Sequence, residues 1–359
     1  MKRTIVFILS ALLTLAFASC NKINGLGGQI RFGVSSSYRN APGTKTEYSG
    51  AVTSNIERID WLTTDQLRVY CSQATAGENH WSDYQVLSFS GNDHTRASVK
   101  ELQADALCWG TGSHTFYSIY PTPGSAEGSS TTLPGLQGTF SGSISASQTP
   151  TWTTENGNTV GAPDMAKAYM VARRTVSDPD ADPDVELDFK PVINTFMFTL
   201  TPTMDITVAG IEIVSTSCPL SGDFTVSVTG ETELNQETSN VVSVTAKPTF
   251  AAGTNDVVSV SLPTGGVALA TGKSLTFTVF TVPQAVKDLS LRVTLSNGLT
   301  NTLALNDNTG ATVTFPVFHK ANITTGYEKW NLVLFEVTTG GQVVNVVTGE
   351  QTGDWSDKQ

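Results

Sequence analysis

The side chains best suited to chemistry in this sequence are four histidines, His80, His94, His114 and His319, and the alternating aspartates Asp178, Asp180, Asp182 and Asp184. The histidines lie far apart and share no metal-ligand spacing, so they read as exposed loop or strand-edge residues. Hard oxygens at every second position can converge on Ca²⁺, but the aspartate run lacks the glycine and the closing glutamate of a Ca²⁺ loop. Pro179 and Pro183 stiffen it further, and it reads as a solvated linker. Trp61, Trp81, Trp109 and Trp152 either pack in cores and loops or line up as a sugar-stacking platform. No G-x-S-x-G, H-E-x-x-H, C-x-x-C or P-loop pattern occurs. The cluster Gly25-Leu26-Gly27-Gly28 lacks the strand–turn–helix setting that would make it a phosphate cradle. The expectation is a protein without catalytic residues, metal or cofactor, and not an enzyme.

The composition points the same way. Only 15% of the 359 residues are charged, with 21 Lys and Arg against 32 Asp and Glu. Ser and Thr make up about a quarter of the chain, a hydroxyl-rich polarity that suits extracellular β-structure. A net charge of −11 offers no electrostatic footprint for a phosphate backbone, which excludes nucleic acid as a partner.

The elements that must position any site are strands. Ile30, Phe32 and Val34 alternate with Arg31, Gly33 and Ser35, placing three apolar side chains on one face. The same period runs through Leu67–Cys71, Asp223–Val228, Val257–Leu262 and Ser274–Val282. Asn297-Gly298 and Gly340-Gly341 punctuate later runs as hairpin turns. Strands of five to nine residues at this spacing predict an all-β chain of antiparallel sandwiches. Asp164–Arg174 has helix-forming composition but no 3.6-residue stripe, enough for a turn or two. Gly124 to Thr159, rich in Gly, Ser, Thr and Pro, reads as long surface loops. The run from Asp178 to Asp184 marks a domain boundary, giving an N-terminal domain over 40–184 and a C-terminal domain over 185–359.

Residues 1–19 read as an address. Lys2 and Arg3 precede an apolar run from Ile5 to Phe17, too short to span a membrane. The small residues Ala18 and Ser19 before Cys20 look like a bacterial lipoprotein cleavage box, with Cys20 as the lipidated first residue of the mature chain; the alternative is an ordinary secretory signal with Cys20 incidental. Removal takes two of the 21 basic residues, leaving 19 against 32 and a mature net charge of −13. Cys71, Cys108 and Cys218 then remain, either as small buried hydrophobes or with a Cys71–Cys108 bridge.

Several motifs in order resemble one family. They are Gly43-Thr-Lys-Thr-Glu-Tyr-Ser-Gly50, Glu57-Arg-Ile-Asp-Trp61, Asp65-Gln-Leu-Arg-Val-Tyr70 and Val185-Glu-Leu-Asp-Phe-Lys190 leading into Phe196–Leu200. Cys218-Pro-Leu-Ser-Gly222, Gly326–Leu334 and Asp354-Trp355 follow. Together with the Cys20 box they resemble the fimbrillin-family lipoproteins, pilus subunits and pilus-related surface proteins of Gram-negative gut and oral anaerobes. Pro191 stands where that family often has His.

The resemblance implies two transthyretin-like antiparallel β-sandwich domains in tandem. It also implies an outer-membrane, cell-surface or fimbrial location with a lipid anchor on the precursor. Assembly would proceed by strand exchange with other pilus subunits after an arginine-specific protease removes the N-terminal strand; a host or bacterial surface receptor or glycan is a further partner. On this chain, residues 20–39 would be the N-terminal segment with the removable strand, and Ile30, Phe32 and Val34 its groove-filling residues. Their loss would uncover on the order of 5–9 kcal/mol of burial. Arg39, in a Ser/Asn/Pro/Gly context, is the candidate cleavage point, and Arg31, inside the strand, the poorer one. At the other end Val343, Val344, Val346 and Val347 form a β-branched strand that is either donated to another subunit or kept as a hairpin partner of Trp330–Val337. The rival expectation is a monomeric surface glycan-binding lipoprotein using the tryptophans.

Overall fold

The computed structural model describes residues 27–36, 59–75, 79–102, 106–124, 127, 132–180, 183–233, 238–246, 256–284, 288–305, 318–325, 329–337 and 343–352. The chain is all-β, as its period-two patterning predicts. In the first half the strands are β1 (Arg31–Ser36), β2 (Gln66–Tyr70), β3 (Trp81–Ser90), β4 (Asp93–Glu101), β5 (His114–Tyr120), β6 (Thr139–Ile144), β7 (Ser147–Gln148), β8 (Thr151–Glu155), β9 (Asn158–Ala162), β10 (Met170–Val176) and β11 (Asp184–Pro191). In the second they are β12 (Asn194–Pro202), β13 (Ile206–Ser215), β14 (Gly222–Val228), β15 (Val242–Ala246), β16 (Asp256–Val260), β17 (Val267–Leu269), β18 (Leu275–Thr281), β19 (Leu289–Leu295), β20 (Thr300–Ala304), β21 (Phe318–Thr325), β22 (Lys329–Val337) and β23 (Val343–Thr352).

Seven strands close into a barrel in the order β1-β11-β10-β5-β2-β3-β4. Its interior holds Ile30, Phe32, Val34, Trp61, Leu67, Val69, Phe116, Leu187 and Phe189, all buried. Beyond it, a seven-stranded sheet (β23-β22-β21-β12-β18-β9-β8) faces one ordered β20-β19-β13-β16-β7. Alternating residues such as Phe198, Phe277, Ile211, Leu291 and Val293 fill the space between these two sheets. A third cluster joins the halves, packing Tyr70, Trp81, Ile119 and Val171 from the outside of the barrel against Phe140, Val192, Phe224, Val226 and Phe280. That contact explains why β2 and β18 bury residues on both faces.

Among the described residues four strand pairs are parallel: β1 with β11, β12 with β21, β9 with β18 and β7 with β16. The expected all-antiparallel sandwiches are corrected in this respect, because each parallel partner arrives by a long crossover that a local pattern does not reveal. The expected loops over Gly124 to Thr159 are also corrected. That stretch contributes β6, β7, β8 and the first residues of β9. β6, β7 and β9 are poor in apolar residues and pair with β14, β16 and β18, which carry the apolar faces, while β8 pairs with β9. The expected boundary at 184/185 falls at the first residues of β11, whose partners β1 and β10 are barrel strands. Conversely, β6, β7 and β9, from before the boundary, pair with strands from after it. Asp164 caps a single 3-10 turn over Met165–Lys167, its carboxylate accepting from Ala166 N–H at 3.0 Å, after which β10 begins. Asn297-Gly298 forms the expected turn between β19 and β20, with Gly298 at φ +86°. Gly340-Gly341 lies outside the described residues.

Candidate functional site

The candidate site is the seat of β1. This strand joins no sequence neighbour: β11, about 150 residues later, runs parallel along one edge, and β4 runs antiparallel along the other. It therefore closes the barrel, and without it β4 and β11 would each present an unpaired edge. The residues preceding it are held as well. Ile30 N–H donates to Leu107 O at 2.9 Å, Trp109 N–H to Gly28 O at 2.8 Å, and Gly27 N–H to Trp109 O at 2.8 Å.

The three side chains that alternate to one face of the strand all point into the barrel core. Ile30, Phe32 and Val34 are 1%, 4% and 0% exposed and belong to the barrel core. The Phe32 ring sits edge-on between Tyr84 and Phe116, with centroids 5.0 and 5.3 Å away. Sequence periodicity missed the C-terminal end of the strand, where Ser35 and Ser36 are both buried. Ser35 Oγ donates to Asp188, and Ser36 Oγ to the carbonyl of Ile59. These hydroxyls satisfy polar groups that a purely apolar strand would leave without partners.

The outward side of β1 is open at Arg31, partly covered at Gly33 and closed at Ser35. Arg31 makes an exposed ion pair with Asp184 at 2.8 Å, inside the strand as expected. Gly33 lies opposite Glu186, whose carboxylate occupies the place a side chain at 33 would take. A shallow pocket of about 310 Å³ opens there, lined in part by Ser88, Phe89, Arg96, Ser98 and Glu186. Burial raises the Glu186 pKa; Arg96 opposes the shift and Asp188 adds to it.

The remaining candidates distribute as follows. Cys20 and Arg39 lie outside the described residues. Val343, Val344, Val346 and Val347 lie in β23, which pairs antiparallel with β22 along its length and forms one edge of the seven-stranded sheet. Trp61, Trp81 and Trp109 are buried, and Trp152 is half-buried with its indole N–H donating to Ser261 O at 2.9 Å. The tryptophan stacking platform of the rival expectation is thereby overturned, since three of the four rings are sealed in cores. Cys71 is a free buried thiol, its pKa pushed up to about 11 by burial, so no Cys71–Cys108 bridge forms.

Exposed histidines were expected, and His114 is a correction. It is fully buried, its Nδ1–H donating to Gly112 O at 2.8 Å and its Nε2 accepting from Gly110 N–H at 2.9 Å. This pairing requires the neutral ring, and burial lowers its pKa below 6.5. A group whose folded pKa lies below its unfolded value contributes stability above the unfolded pKa and loses it as pH falls through the folded one. Urea midpoints of the wild type should therefore fall as the pH drops below about 6.5, more steeply than those of His114→Gln. Parallel slopes would show that the ring does not titrate on unfolding.

No family model matches the chain, and no curated protein matches it. Among solved structures it is similar to a candidate cell adhesion protein of Bacteroides uniformis, at 13% identity and a TM-score of 0.48, over 92% of this chain and 98% of that one. It is similar to a fimbrial assembly protein of Parabacteroides distasonis, at 8% identity and a TM-score of 0.39, over 89% and 99%. A C-terminally truncated tip fimbrial protein of Porphyromonas gingivalis follows at 10% identity and a TM-score of 0.34, over 91% and 100%.

Proposed function

We propose that this chain is a structural or adhesive subunit of a cell-surface pilus of the fimbrillin kind, made as an outer-membrane lipoprotein on Cys20 and assembled by strand exchange after cleavage at Arg39. The observation that carries this reading is the position of β1: one strand, distant in sequence from both its neighbours, fills the gap between β4 and β11. Its loss would uncover sites for Ile30, Phe32 and Val34 and two unpaired backbone edges at once. A strand from another subunit fits such a gap through ladder hydrogen bonds and alternate side chains. The barrel is then the acceptor module, and the region from β12 onward, with β6 to β9, a second module that carries β23.

Digestion of the full chain with an arginine-specific protease tests this. The expected products are a chain beginning at Asn40 that has lost β1 and that takes up an added peptide of residues 27–36, seen by native mass spectrometry. A chain that is cut at Arg39, sheds the strand and takes up no added strand peptide would count against exchange; a chain that resists cutting there would count against the processing step.

A further inference from the structure

The shape of the β1 seat says what kind of strand fits it, granted the exchange reading above. The seat is not a uniform aliphatic channel. At its centre the Phe32 ring fills a slot bounded edge-on by Tyr84 and Phe116, with both rings buried in the same core. Two residues to either side, Ile30 and Val34 fill aliphatic positions, and at the next inward position Ser36 donates to a backbone carbonyl. The occupant's pattern is therefore aliphatic, aromatic, aliphatic, small hydroxyl at every second residue.

The chain's own candidate donor lacks this pattern. The sequence Val343-Val-Asn-Val-Val-Thr-Gly-Glu-Gln-Thr352 contains no aromatic residue. In its best register Val344, Val346 and Thr348 would take the places of Phe32, Val34 and Ser36, which puts a valine in the aromatic slot and Gln342 in the place of Ile30. Valine fills only part of a phenylalanine site and makes neither edge-on ring contact, and a buried glutamine brings an amide with no assured partner. The next aromatic, Trp355, has Gly353 and Asp357 at the flanking inward positions and offers no better register. In the structure β23 is also fully engaged with β22 of its own chain.

We propose that the strand received in place of β1 carries an aromatic residue in the Phe32 slot, and that it comes from a different protein and not from β23 of a second copy. The chain is then an acceptor in a mixed assembly, unable to polymerise efficiently on itself.

The test uses the full mature chain with a specific protease site in place of residues 41–46, cut there so that the N-terminal segment stays bound without a covalent link. Three peptides compete for the seat at equilibrium: residues 27–36, the same peptide with Phe32→Val, and residues 342–352. Occupancy is read by native mass spectrometry. The 27–36 peptide should displace the bound segment, with the Phe32→Val and 342–352 peptides at least about tenfold weaker. Equal occupancy by all three would overturn the aromatic selectivity while leaving exchange intact. Failure of even the 27–36 peptide to enter would overturn exchange itself, and this inference with it.

Discussion

Phe32→Ala should lower the stability of the full chain by about 3–5 kcal/mol, among the largest effects available to a single side chain. The ring lies in the barrel interior between Tyr84 and Phe116, so truncation leaves a void whose walls are themselves rigid aromatics. The strand also closes a barrel, and weakening its seat loosens both the β4 and β11 ladders. Urea denaturation measures the loss as a lower midpoint at unchanged slope. Arg31→Ala, on the same strand but exposed, should change stability by less than about 1 kcal/mol. Equal effects of the two substitutions would mean that β1 is not held by its inward face.

Arg68→Met should cost nearly as much, about 3 kcal/mol, for a different reason. The guanidinium is buried on the outside of the barrel, where the third core covers it. Its Nε and Nη2 donate to the two oxygens of Asp83 at 2.6 and 3.0 Å, Glu127 stands 3.6 Å away, and the group lies 4.0 Å from the centre of the Trp81 ring. Although burial alone would lower the Arg68 pKa, hydrogen bonding and attraction to Asp83 outweigh it and the net shift is upward. Methionine keeps the stem but leaves Asp83 without its counter-charge, in a site mostly closed to water. Adding Asp83→Leu should recover most of the loss, because replacing both partners removes the uncompensated charge. A double variant as unstable as the sum of the singles would show that the pair is held by something other than mutual neutralisation.

What the sequence discloses about this site follows from the reach of each signal. The inward triad Ile30, Phe32 and Val34 is legible because alternation is a property of adjacent residues. The partner of that strand is not, because β11 lies about 150 residues on and parallel pairing leaves no turn to mark it. Ser35 and Ser36 look like the polar end of a strand, and only the carbonyl of Ile59 and the carboxylate of Asp188 make them anchors. Similarly, Arg68 in Leu67-Arg68-Val69 reads as an outward residue, and it does face outward from the barrel. That face is covered by a second layer, in which Tyr70 packs against Phe140 in a cluster with Phe224 and Val226, residues far along the chain. The apolar Tyr70 on the same face as Arg68 was the available sign that this face is covered. β6 to β9 were hidden for the converse reason: their own residues are mostly Ser, Thr and Gly, and the apolar surface they need belongs to β14, β16 and β18.

The central claim is that the segment ending at Arg39 is a removable closing strand. N-terminal sequencing with intact mass, applied to the protein purified from the cells that make it, tests this most directly. The account predicts a chain beginning at Asn40 with no lipid attached. A chain beginning at lipidated Cys20, with residues 27–36 still in place, would contradict it and leave β1 as a permanent part of the barrel.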